Sequence, residues 1–144
     1  MAGLVVQGFV TVSALLGGGA LIVGAWVPGT AGFLVPPTDY LEGSPFSSYV
    51  IPGALLILLV AGPHALAFGA MLRRSVWAPF LTASAGFACL IWIFVQMIVI
   101  PFSLLQALYF AIGLFDVGVA LLLLGVVPQA CPIARSADSG GRLR

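Results

Sequence analysis

The chain has 144 residues, of which 62 % are hydrophobic and only 6 % charged, and its formal net charge is +1. Soluble domains carry about a quarter charged residues, and small domains leave much of their surface exposed, so a water-soluble fold is excluded and lipid must solvate much of the chain. The small net charge also excludes a broad basic surface, and no nucleic-acid partner is expected.

The first apolar stretch covers about 4–27. It lacks a positive leader and is longer than the core of about 7–15 residues typical of a signal peptide, so it is expected to remain as a membrane span. Small residues recur in it at a spacing of four, as Ser13 with Gly17, Ala14 with Gly18, and Ala20 with Gly24. That spacing puts each pair on one helix face, where close packing between helices needs them. The run Gly17-Gly18-Gly19 weakens a helix by about 1 kcal/mol per glycine and marks a close crossing, a kink or a deformable segment. Gln7 is expected to make an interhelical or interfacial hydrogen bond.

Residues 28–48 form the one long connection, with four prolines, Asp39 and Glu42, and no Lys or Arg. Phe33, Leu34, Val35, Phe46 and Tyr49 are too apolar for a freely solvated loop. The segment is predicted to fold back over the mouth of the bundle.

The second span is expected over about 49–71, with Pro52 in its first turn, where a missing N–H costs little. Ala61, Ala65 and Gly69 form another small-residue face, and His64 follows Gly62-Pro63. A short connection holds Arg73 and Arg74. The third span is expected over 77–100, with small residues Ala78, Thr82 and Gly86. A tight turn around Pro101, itself placed in the first turn of the next helix, leads to a fourth span over 104–127. The tail 128–144 carries Arg135, Arg142 and Arg144 and is read as flexible and cytoplasmic.

Each stretch has about the 20 residues that a helix needs to cross roughly 30 Å of hydrocarbon. Barrel strands would be about ten residues long and alternate in polarity. The fold class predicted is therefore all-α, a four-helix transmembrane bundle over 1–127. All five basic residues fall on one side of it, which the positive-inside rule assigns to the cytoplasm. Both termini are then cytoplasmic, the loop 28–48 is outside, and the protein is a multi-pass protein of the cell membrane.

Asp116, near the middle of the fourth span, carries the strongest chemical signal. An ionised carboxylate at the bilayer centre costs on the order of 3 kcal/mol, so it should face the bundle. His64 is its natural partner. The second and fourth spans run in the same direction, and the two residues lie at depths that differ by about 3 Å. Such a pair can relay protons, bind a polar ligand or simply fix helix register. Gln96 and Gln106 can line a pocket at the outer end with Trp92 and Tyr109, or serve packing and interfacial hydrogen bonds. Cys89 and Cys131 are expected at different depths and form no disulfide framework. No cofactor or metal motif, and no nucleophile–base motif, is legible.

The segments SPFSSYVIPG (44–53) and WIFVQMIVIPFSLLQALYFAIG (92–113) resemble small uncharacterised four-span membrane proteins of actinobacteria. The resemblance implies a bacterial source and the membrane class, and carries no catalytic residue with it. Three functions fit these features. The first is a non-catalytic accessory or lipid-contacting membrane subunit, whose partners are the bilayer and a homo-oligomer or larger membrane complex. The second is a small oligomeric proton-linked carrier using Asp116 and His64. The third is a membrane-embedded enzyme acting on an apolar lipid with the same pair.

Overall fold

Inside lipid every backbone N–H and C=O must be satisfied within the chain, and a helix does this segment by segment. A computed structural model describes residues 1–27 and 35–125. Among these residues there are four long helices: α1 (Ala2–Trp26), α2 (Val50–Leu72), α3 (Ala78–Val99) and α4 (Leu104–Leu123). A short 3-10 turn, Thr38–Leu41, precedes α2. All four are long and apolar enough to cross a membrane, which is compatible with a multi-pass integral membrane protein. Large apolar side chains such as Leu16, Leu58, Leu66, Phe94 and Leu122 point outward, as lipid-facing side chains do. The tail 128–144 and the first part of the loop, 28–34, lie outside the described residues.

Three local details differ from expectation. First, α4 ends at Leu123 rather than 127, because Gly125 takes a left-handed φ of +66° one position past the cap residue Leu124 and closes the helix. Asp116 is therefore twelve residues from Leu104 and seven from Leu123, so it is not central. Second, Pro101 lies in the connection before α4 rather than in its first turn. Ser103 caps the helix instead, its hydroxyl accepting from the Gln106 N–H while the Gln106 side chain accepts from the Ser103 N–H. Third, α2 contains a π-helical turn, Ile57–Ala61, in which the Gly62 N–H reaches back to the Ile57 carbonyl. Pro63 follows directly and has no N–H to offer, so the wider turn sits where the regular ladder is already broken.

The glycine run of α1 resolves into a close crossing. A Cβ on Gly18 would stand 2.7 Å from the Gly53 carbonyl oxygen of α2, whereas one on Gly19 would meet nothing within 4 Å. Gly86 of α3 and Gly113 of α4 make a second close approach. The Ala61, Ala65, Gly69 face behaves differently. Only Ala61 is buried; Ala65 is exposed, and a Cβ on Gly69 would meet open space.

Residues 35–49 fold back over one end of the bundle. Val35, Leu41 and Tyr49 are buried together and pack against Leu21, Phe46 and Val99. The Tyr49 hydroxyl donates to the Pro37 carbonyl at 2.8 Å, which pins the segment to the start of α2. This is the loop end of the bundle; the opposite end carries Arg73 and Arg74.

Candidate functional site

Four polar side chains are completely buried in the half of the bundle nearer the arginine end: Gln7, His64, Thr82 and Asp116, one from each helix. Their common level follows from the antiparallel register. Between α1 and α4, Gly3 lies beside Val119 and Ser13 is bonded to Tyr109, so Gln7 falls opposite 115–116. Between α1 and α2, Gly3 lies beside Met71 and Gly18 beside Gly53, which puts Gln7 within about a turn of His64. Between α3 and α4, Gly86 faces the Cβ of Asp116, and Thr82 lies one turn from Gly86 on the same face. The missing side chain at Gly86 is what lets Asp116 sit so close to α3.

The structure brings the two ionisable members together, with His64 Nε2 3.2 Å from Asp116 Oδ2. The contact is close but lacks the alignment of a hydrogen bond. The other ring nitrogen settles the tautomer. His64 Nδ1 is 2.7 Å from the Val60 carbonyl, and a carbonyl can only accept, so Nδ1 carries a proton. Val60 belongs to the π-helical turn, so the irregularity in α2 supplies the carbonyl that orients the ring.

The rest of the quartet is poised in the same way. Neither amide atom of Gln7, nor the Thr82 hydroxyl, nor either oxygen of Asp116 has a hydrogen-bond partner among the described residues. Thr82 is the informative case. Thr11, Ser13 and Ser84 all return their hydroxyls to the carbonyl four residues earlier, the usual solution for a hydroxyl in an apolar helix. Thr82 does not.

A separate cavity of about 270 Å³ lies toward the loop end. Trp92, Gln96, Gln106 and Tyr109 all line it, together with Gly17 and Pro36. Its polar features are few. The indole N–H of Trp92 is buried without a partner, while the Tyr109 hydroxyl donates to Ser13 Oγ at 2.6 Å. Gln106 is committed to the α4 cap, so its place in the wall is structural as well. The Cys89 thiol, on the cavity's inner wall, donates to the Tyr109 carbonyl at 3.5 Å and ties α3 to α4.

An apolar layer separates cavity from quartet. Val10, Ala14, Val60 and Ala61 pack there with Leu56, Trp92, Tyr109 and Ile112 around them. The sequence pairs His64 with Asp116 by depth, but treats Gln7 as an isolated hydrogen-bonding residue and Thr82 as part of a small-residue face. Their depth was the available signal: Gln7 is five residues from the start of α1 and Thr82 four from the start of α3, both near the arginine end.

No protein-family model, no curated protein and no solved structure matches the chain. Among the described residues no group of three or more His, Cys, Asp or Glu side chains could hold a metal ion.

Proposed function

We propose that the protein is a non-catalytic, lipid-contacting subunit of the cell membrane whose loop-end cavity accepts part of an amphipathic lipid. The observation that carries this reading is the separation of the cavity from the polar quartet by the Val10–Ala14–Val60–Ala61 layer. An enzyme needs its acid and base within hydrogen-bond reach of the reacting group, and here the histidine–carboxylate pair lies beyond a dry partition. The cavity itself is mostly apolar with a few polar groups at its rim and wall, the general character of a ligand site. Its volume equals about nine water molecules in liquid, enough for a segment of a lipid chain rather than a whole lipid.

Gly17 offers a direct test. It lines the cavity, and a Cβ there would meet only Leu56 at 3.6 Å, an ordinary contact. Gly17→Leu is therefore expected to fill the cavity without forcing α1 away from α2. Native mass spectrometry of the purified protein should show a retained lipid in the wild type and little or none in Gly17→Leu. A wild type that retains no lipid, or a variant that retains as much, sinks the reading.

The topology proposed puts Arg73, Arg74 and both termini in the cytoplasm and residues 35–49 outside, supported by the one-sided distribution of arginine. Glu42 is exposed and suits labelling. With Cys89 and Cys131 replaced, a cysteine introduced at Glu42 is expected to react with an impermeant maleimide in intact cells. Reaction only after permeabilisation reverses the orientation.

A further inference from the structure

We propose that Gln7, His64, Thr82 and Asp116 form a buried one-proton site, in which His64 and Asp116 share a single exchangeable proton.

The Val60 carbonyl fixes a proton on Nδ1, so Nε2 of a neutral His64 presents a lone pair. That lone pair faces Asp116 Oδ2 at 3.2 Å, and a carboxylate oxygen also presents only lone pairs. Two acceptors this close, in a site with no exposure to solvent, repel each other unless one of them holds a proton. With the proton on Oδ2 the pair is a neutral acid beside a neutral imidazole. With the proton on Nε2 it is a carboxylate beside an imidazolium. Transfer between the two breaks one O–H bond and forms one N–H bond, and the pair stays at zero net charge throughout. Removing the proton altogether leaves a charge of −1 in a low-dielectric interior, which is costly.

Gln7 and Thr82 give the pair its second state. Each has an unpartnered donor, the amide N–H of Gln7 and the hydroxyl of Thr82, at the level of the carboxylate. Asp116 Oδ1 likewise has no partner. Turned onto Asp116, donors of this kind favour the ionised carboxylate and with it the proton on His64. Other titratable groups packed nearby are few. α1 has none, α2 has only His64, α3 has only Cys89, and α4 adds only Tyr109 beyond Asp116. The Tyr109 hydroxyl is engaged at the cavity, while the Cys89 thiol donates to the Tyr109 carbonyl and lies close enough to Asp116 to interact with its charge.

His64 is the sole histidine of the chain, so its ring can be observed without ambiguity. In the full-length protein labelled with 15N-histidine and held in lipid nanodiscs, Nδ1 is expected to carry a proton. Nε2 is expected to show a chemical shift between those of a bare and a protonated ring nitrogen, the signature of a proton shared with Asp116 Oδ2. Asp116→Asn removes the exchangeable proton and should return Nε2 to a bare acceptor. Thr82→Val keeps the shape of the side chain and removes its donor; it should shift the proton toward Asp116 and give Nε2 more acceptor character. Tyr109→Phe should leave the Nε2 shift where it is. An Nε2–H tautomer with a bare Nδ1 overturns the proposal. So does an Nε2 shift that neither Asp116→Asn nor Thr82→Val alters. Because the lipid test reads the cavity and this one reads the ring, either reading can fail alone.

Discussion

His64→Ala and Asp116→Ala are each expected to lower the stability of the protein by about 3 kcal/mol, where the range for stranding a neutral polar group meets that for breaking a buried ion pair. Both side chains are fully buried, and each is the other's only close polar side-chain contact on that side. Alanine at 64 leaves the carboxyl group of Asp116 in a dry site with no cationic or proton-holding partner. It also removes the hydrogen bond from Nδ1 to the Val60 carbonyl. Alanine at 116 leaves Nε2 stranded. Once one partner is gone the second contributes little, so the double variant should lose clearly less than the sum, with a coupling of about 1–3 kcal/mol. Asp116→Asn keeps a hydrogen-bonding side chain and should cost less than Asp116→Ala. Reversible unfolding in mixed bicelles measures all four variants. Strictly additive losses would show that the two residues do not act as a pair.

The second large effect belongs to the α1–α2 crossing. In Gly18→Ala the new methyl would lie 2.7 Å from the Gly53 carbonyl oxygen and 2.5 Å from Ile57 Cγ1. Ile57 can rotate; a backbone carbonyl cannot, so the helices must part. Overpacking of this sort costs about 1–3 kcal/mol. Gly53→Ala should cost about the same, because its methyl would meet the Gly18 carbonyl at 2.7 Å and Leu21 and Ile22 beside it. Combining the two should cost less than the sum, since the first already separates the helices. Gly18→Leu is expected to prevent the native packing altogether. Gly19→Ala is the matched control. It adds the same methyl one residue away, where nothing lies within 4 Å, and should gain up to about 1 kcal/mol from helix propensity. Equal losses for Gly18→Ala and Gly19→Ala would mean that the crossing does not pass through Gly18.

The matching depths of His64 and Asp116 were legible without any structure because depth along a helix rises linearly with residue number. Two parallel spans of known start therefore fix which residues share a level. The same linear count, with the length of each apolar run, determined the four spans. The surplus of apolar residues in the loop pointed to a segment that folds back, and Val35, Leu41 and Tyr49 do so.

What the sequence could not determine was rotation about each helix axis. In water the core face is apolar and the outer face polar, so composition reports orientation. In lipid both faces are apolar, and that signal disappears. Tertiary structure alone decided that Gln7 and Thr82 turn inward to the histidine–carboxylate pair, that Gly18 rather than Gly17 or Gly19 makes the crossing, and that Ala65 and Gly69 face away from the bundle. It also decided the end of α4, because Gly125 closes the helix through a backbone conformation that apolar content does not encode. The π turn has the same origin. Pro63 announces a break in α2, but only the structure places the wider turn before it, and within that turn the Val60 carbonyl that holds His64.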